Sequence, residues 1–134
     1  MAVLLPLLLN ACGDSRELTP QQATALEQRV WARWQTLSDR DFDKTWEFAS
    51  PNYRSIFSKR MFRNKFSYGV EWELTAVNIL NYDSRAAVAS VAARVMTEST
   101  KPTSSALKAM GARPIIIRER WMLIDGEWWH IANI

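Results

Sequence analysis

The sequence holds one cysteine and one histidine among its 134 residues. A single Cys excludes an intrachain disulfide, and one Cys with one His is too small a ligand set for an ordinary zinc site. Glycine is sparse, with four in all, and none stands in a Gly-rich phosphate loop or around a serine nucleophile. No cofactor is implied. No apolar run approaches the ~20 residues that cross a bilayer. Neither sign of charge dominates: the net charge is +3 and the pI about 9.3, a small excess that argues little for a polyanionic partner. Hydrophobic residues make up 48% and charged residues 23%, the balance of a folded domain, and the length suffices for one core and not for two.

Tryptophan is abundant, with seven in the chain. Trp121, Trp128 and Trp129 flank Asp125-Gly126 near the end. Asp-Gly between apolar runs marks a two-residue hairpin, because that turn needs positive φ. Before it, Ile115, Ile117, Glu119, Trp121 and Leu123 share one strand face, and Ile116, Arg118, Arg120, Met122 and Ile124 the other. The last strand is expected over 128–134. Further back, Trp72, Leu74 and Ala76 alternate with polar residues before Val77 and Ile79 take the opposite phase, which predicts a bulge. A turn at 81–84 and a strand over 86–98 follow. Residues 100–112 form either a mobile loop or a connection with one helical turn at 106–110.

The first half is helical. Thr19, Pro20 and Gln22 form a helix start with a capping box. Ala23, Leu26, Val30, Trp34 and Leu37 then recur at helical spacing as one apolar stripe, with Glu27, Arg29 and Arg33 pointing elsewhere. A short second helix carries Phe42, Trp46 and Ala49 and ends at Ser50-Pro51. Residues 52–57 read as a link. Ser58 caps a third helix with Met61, Phe62 and Phe66 inward. Arg54, Lys59, Arg60, Arg63 and Lys65 crowd this region without an acidic neighbour. They form either a solvated face or a site for anionic headgroups or another polymer.

Residues 1–11 are apolar and too short for a span, but suit the core of a signal peptide. Leu9-Asn10-Ala11-Cys12 resembles the lipobox of bacterial lipoproteins, and the only cysteine falls at its reactive position. The resemblance implies a diacylglycerol on Cys12, cleavage before it, and acylation of the new amino end. It makes 1–11 a signal peptide, 12–18 a lipidated tether and 19–134 the folded domain. Gly13 after Cys12 resembles the outer-membrane sorting pattern, which places the domain in the cell envelope facing the periplasm. Residues 1–11 lack the Lys or Arg expected at the start of a leader, so the true start codon is expected upstream.

Helices followed by bent antiparallel strands make an α+β domain. That order, with Asp41-Phe42-Asp43, Ser50-Pro51-Asn52-Tyr53-Arg54 and the Trp121…Asp125-Gly126-Glu127-Trp128 ending, resembles the NTF2-like, or cystatin-like cone, superfamily. The resemblance implies three N-terminal helices in the concave face of a strongly curved sheet of four or slightly more strands, around a cone-shaped pocket. Trp46, Tyr53, Phe62, Trp72, Trp121 and Trp128 are the candidate lining. The superfamily includes isomerases, dehydratases, assembly subunits and exported proteins of no known activity, so the fold fixes little about function.

An isomerase of this type pairs a carboxylate base with hydrogen-bond donors. Tyr53, Tyr68, Glu71, Glu73, Glu119 and His130 are the candidates, with Glu119, Tyr53 and His130 foremost. Glu119 lies on an apolar strand face, where it is either a base or the partner of Arg94 or Arg120 across the sheet. His130 is opposite in phase to Trp129 and Ile131, which fits a structural or solvent-facing group as well as a catalytic one. No Asp occupies a strand interior. The basic and aromatic residues do not interleave along the chain, so nucleic acid is not expected as a partner. The leading expectation is a non-enzymatic, lipid-anchored domain that binds a small apolar ligand or an envelope protein. The alternatives are an isomerase or dehydratase using Glu119 with Tyr53 or His130, and a homodimeric assembly subunit.

Overall fold

A computed structural model describes residues 17–101 and 103–132. Cys12 and the signal and tether segments before residue 17 lie outside the described residues, as do the last two positions expected in the final strand. Among the described residues nine elements follow one another: α1 (Pro20–Ser38), α2 (Phe42–Trp46), α3 (Pro51–Ile56), α4 (Lys59–Arg63), β1 (Val70–Asp83), β2 (Val88–Ser99), α5 (Ser105–Met110), β3 (Arg113–Ile124) and β4 (Glu127–His130). The four strands form one antiparallel sheet in the order β1-β2-β3-β4. The chain is α+β, with helices packed on the inward face of a bent, open sheet. No described helix is long and apolar enough to cross a membrane.

Local chemistry sets the boundaries. Thr19 accepts from the Gln22 amide at 3.1 Å while the Gln22 side chain accepts from the Thr19 amide at 3.0 Å, completing the capping box of α1. The stripe of α1 delivers Leu26, Val30, Trp34 and Leu37 to the core. The β1–β2 register slips between Leu74 and Ala76, the bulge that the phase change predicts, and again between Ile79 and Asn81. Two bulges in one strand bend it over the helices. Asp125 and Gly126 have φ of 50° and 79° at the β3–β4 turn. Gly126→Val forces a β-branched residue into the left-handed region, at ~1–2 kcal/mol. Urea unfolding should register that loss, and an unchanged midpoint would contradict the turn.

Four elements differ from their sequence-based expectations. The supposed link at 52–57 is helix α3, so four described helices and not three precede the sheet. Ser50, with its hydroxyl accepting from the Tyr53 amide, caps α3, and Pro51 stands at the first-turn position that has no need of its N–H. Ser50-Pro51 thus starts a helix, while α2 has already ended at Trp46. The β1–β2 turn falls at 84–87 because the Asp83 carboxylate accepts from the amides of Arg85 and Ala86 at 3.0 and 3.3 Å. Finally, β4 ends at His130, although the Ile131 amide still donates to Arg120 O at 2.9 Å. The helical turn between β2 and β3 is present as α5.

Two apolar clusters result. The main one joins the α1 stripe and Phe42 to Leu74, Ala89, Val91, Ala93, Val95, Trp121 and Trp128. Burying one Trp removes ~150–250 Å² from water, worth roughly 4–6 kcal/mol of transfer free energy. A smaller cluster joins Ala49, Tyr53 and Phe62 under α3 and α4. The outer edge of β4 is covered: the His130 amide donates to Phe48 O at 2.8 Å, and Ala49 bridges to His130.

Candidate functional site

Glu119 sits on β3 facing inward, directly across from Val91 of β2. It is 5% exposed. A buried carboxylate is tolerated only when its oxygens are hydrogen-bonded and its charge is matched. Three donors meet it. Arg33 Nη1 and Trp34 Nε1 both donate to Oε2 at 3.1 Å, and Trp121 Nε1 donates to Oε1 at 3.1 Å. The expected partners Arg94 and Arg120 are instead exposed on the outward sheet face, where strand alternation puts them. The true partner, Arg33, comes from α1 and is 6% exposed. It does not point away from the core.

His130 completes the cluster. Its Nε2 lies 3.9 Å from Glu119 Oε2, too far for a hydrogen bond, and its ring meets Trp121 edge-on at 5.3 Å. Burial pushes the His130 pKa well below its usual range, and the Arg33 charge pushes it further the same way. The imidazole is therefore neutral at pH 7 and forms no ion pair. Burial also lowers the Arg33 pKa, with Glu119 opposing the shift. The arrangement is a closed charge cluster: one cation, one anion, two indole donors and a neutral imidazole.

The candidate residues thus fall into separate places. Glu119 and His130 come together. Tyr53 lies in the smaller cluster, its ring stacked on Phe57 at 4.6 Å. Trp46 and Phe62 belong to that cluster too, and the Trp46 indole donates to Phe57 O at 2.8 Å. Trp121 is core. Trp72 and Trp128 each line a cleft. One cleft, of about 650 Å³, lies between the α1 end and the β1–β2 end, lined by Ser38, Arg40, Glu71, Trp72, Glu73 and Glu98 among others. The second, of about 590 Å³, is lined by Ala25, Gln28, Arg29, Ala32, Glu47, Gly126, Glu127, Trp128 and Trp129. Neither is lined by Glu119, Arg33 or His130. No group of three His, Cys, Asp or Glu side chains among the described residues could hold a metal.

Basic and aromatic residues do interleave, in space. Arg29 lies over Phe48 at 4.4 Å and Trp129 at 5.3 Å. Arg54 lies over Trp129 at 4.9 Å and Trp46 at 5.5 Å, and Lys59 over Trp46 at 5.4 Å. The guanidinium Nε atoms donate to backbone, Arg29 to Trp128 O at 3.1 Å and Arg54 to Ala49 O at 3.0 Å. Widely separated stretches supply this ladder, so no sequence spacing announces it. Such contacts are worth ~0.5–1 kcal/mol at exposed sites and more when desolvated.

No protein-family model matches the sequence, and no curated protein matches it. Among solved structures, a protein of unknown function with a cystatin-like fold from Nostoc punctiforme is similar, with a TM-score of 0.53 and 13% identity over 86% of this chain and 90% of that one. Aln2 from a Streptomyces species is similar at a TM-score of 0.50 and 11% identity, over 85% of this chain and 88% of that one. The chain therefore has the cystatin-like, NTF2-like cone fold. At such identities the likeness concerns the fold alone.

Proposed function

We propose that this chain is a non-catalytic binding module of the bacterial envelope, held to the membrane through lipid on Cys12. Its ligand is a small apolar molecule, and its cleft lies outside the cone, beside Trp128 and Trp129. One observation carries the non-catalytic half: Glu119, the best-placed base, has both oxygens occupied by three donors. A general base must come within ~2.6–3.2 Å of the proton it takes. Arg33, Trp34 and Trp121 already hold that space. The competing isomerase or dehydratase reading has the 3.9 Å approach of His130 to Glu119 in its favour. Neither of the two clefts described above is lined by that pair.

The anchoring half rests on Leu9-Asn10-Ala11-Cys12 and the small Gly13 that follows. Periplasm-facing attachment to the outer membrane goes with that resemblance. The cleft is supported by its form: Ala25 and Ala32 leave room on the α1 side, and Trp129 of β4 stands opposite them. N-phenylnaphthylamine, a neutral apolar dye, is the probe. Its fluorescence should rise with the wild-type protein and not with Ala32→Trp, which fills the cleft from an exposed helix position. Equal uptake by both would remove the cleft assignment. Metabolic labelling with a palmitate analogue should mark wild type and not Cys12→Ala, and equal labelling would end the lipoprotein reading.

A further inference from the structure

We infer that the α3–α4 hairpin is a docking surface for an anionic phospholipid membrane, with Ile56 and Met61 as its apolar contacts. Residues 51–66 carry five cations, Arg54, Lys59, Arg60, Arg63 and Lys65, and no carboxylate. Among the described residues, two carboxylates reach them from outside: Glu47 to Lys59 at 3.8 Å and Asp43 to Arg63 at 3.5 Å. Five cations against two carboxylates leave an excess of three. Arg60 forms no ion pair among the described residues.

Within this basic surface Ile56 is 65% and Met61 52% exposed, so Met61 faces outward and not inward as expected from the sequence, while Phe62 takes the buried position. Two exposed aliphatics within one basic stretch fit a partner that takes both kinds of group. The hairpin is held firmly beneath them. Tyr53 stacks on Phe57 at 4.6 Å and meets Phe62 edge-on at 6.2 Å, and Phe62 meets Phe66 at 5.0 Å. Lys59 and Lys65 lie over aromatic rings, at 5.4 Å from Trp46 and 5.4 Å from Tyr53. Rigid aromatic backing, outward aliphatics and surrounding cations match the boundary between acyl chains and charged headgroups. A nucleic acid would engage the cations but leave Ile56 and Met61 against its phosphates.

The surface does not require lipid on Cys12. A tether over 12–18 would let the hairpin reach the bilayer, spanning at most ~25 Å at ~3.3–3.6 Å per residue. The test therefore uses the full chain with Cys12→Ala, sedimented with vesicles of phosphatidylcholine alone or mixed with phosphatidylglycerol. Binding should be stronger to the anionic vesicles. That preference should fall between about 0.15 M and about 1 M salt, as the screening length shrinks from ~8 Å to ~3 Å.

Each Lys or Arg near such a surface contributes about fivefold, so Arg60→Glu, a change of two charges, should cut the preference ~25-fold. Ile56→Ser with Met61→Ser should weaken binding at both salt concentrations. All three positions are exposed, and near-ultraviolet dichroism checks that the fold is kept. Equal binding to both vesicle types, an unchanged preference in Arg60→Glu, or unchanged binding in the Ile56→Ser, Met61→Ser double variant would overturn the assignment. Capture on an anionic polymer resin without any vesicle preference would also overturn it, marking the hairpin as a site for acidic macromolecules.

Discussion

Glu119→Ala should lower the free energy of unfolding by ~3–5 kcal/mol, the range for leaving one member of a buried ion pair without its partner. That is a large part of the ~5–15 kcal/mol that holds a domain together. The loss has two sources. Arg33 keeps its charge in a closed core, 6% exposed. The indoles of Trp34 and Trp121 lose their acceptor, at ~1–3 kcal/mol for each donor left buried and unpaired. Glu119→Gln is no gentle change either. An amide has one acceptor oxygen and two donor protons. Placed at Oε2, the oxygen serves Arg33 and Trp34, but the NH₂ group then faces the Trp121 indole proton. Turned the other way, it faces both Arg33 and Trp34. Arg33→Met in the Glu119→Gln background should recover part of the loss, because the orphaned cation goes with it. Chemical denaturation of wild type, both single variants and the double variant closes the cycle. Additive losses would show that Arg33 and Glu119 do not act as a pair.

Half of this cluster was legible in the sequence. The alternation along β3 places Glu119 with Ile117, Trp121 and Leu123, and an acid on an apolar face must find a partner. The partner was not legible, because Arg33 lies 86 positions away on a different element. Helical spacing puts Arg33 beside the stripe of Leu26, Val30, Trp34 and Leu37, where an Arg ordinarily reads as solvent-facing. The Asp125-Gly126 hairpin, the capping box of α1 and the first bulge of β1 were legible because each is decided within a few residues. Helix α3 shows how a local signal can be read in the wrong direction: Ser-Pro closes one helix and caps the next with equal chemistry. The cation–aromatic ladder is the opposite case. Its rings and cations come from separate stretches, and only the fold brings them together.

Lowering the pH from about 8 to about 5 should destabilise wild type more steeply than His130→Gln. In the unfolded chain a His takes up its proton near pH 6.5. In the folded chain burial and Arg33 hold its pKa well below that value. Between the two, the unfolded state binds more protons, so stability is fully present above about pH 6.5 and is lost as the pH falls toward the folded pKa. One proton gives a slope of at most ~1.4 kcal/mol per pH unit, so the effect is substantial across the window. Carboxylates add their own slope near and below pH 5, but they do so in both proteins, and the difference isolates the imidazole. The structural consequence is local. Protonation would put a cation beside Arg33, with Glu119 Oε2 3.9 Å away and already shared by two donors. The backbone of His130 fastens β4 to the helical layer through Phe48 O at 2.8 Å. Acid should therefore release that closure before the rest of the sheet, seen as faster amide exchange at His130 than at Val91 or Val95. Parallel stability curves for the two proteins would show that His130 is not the group that titrates.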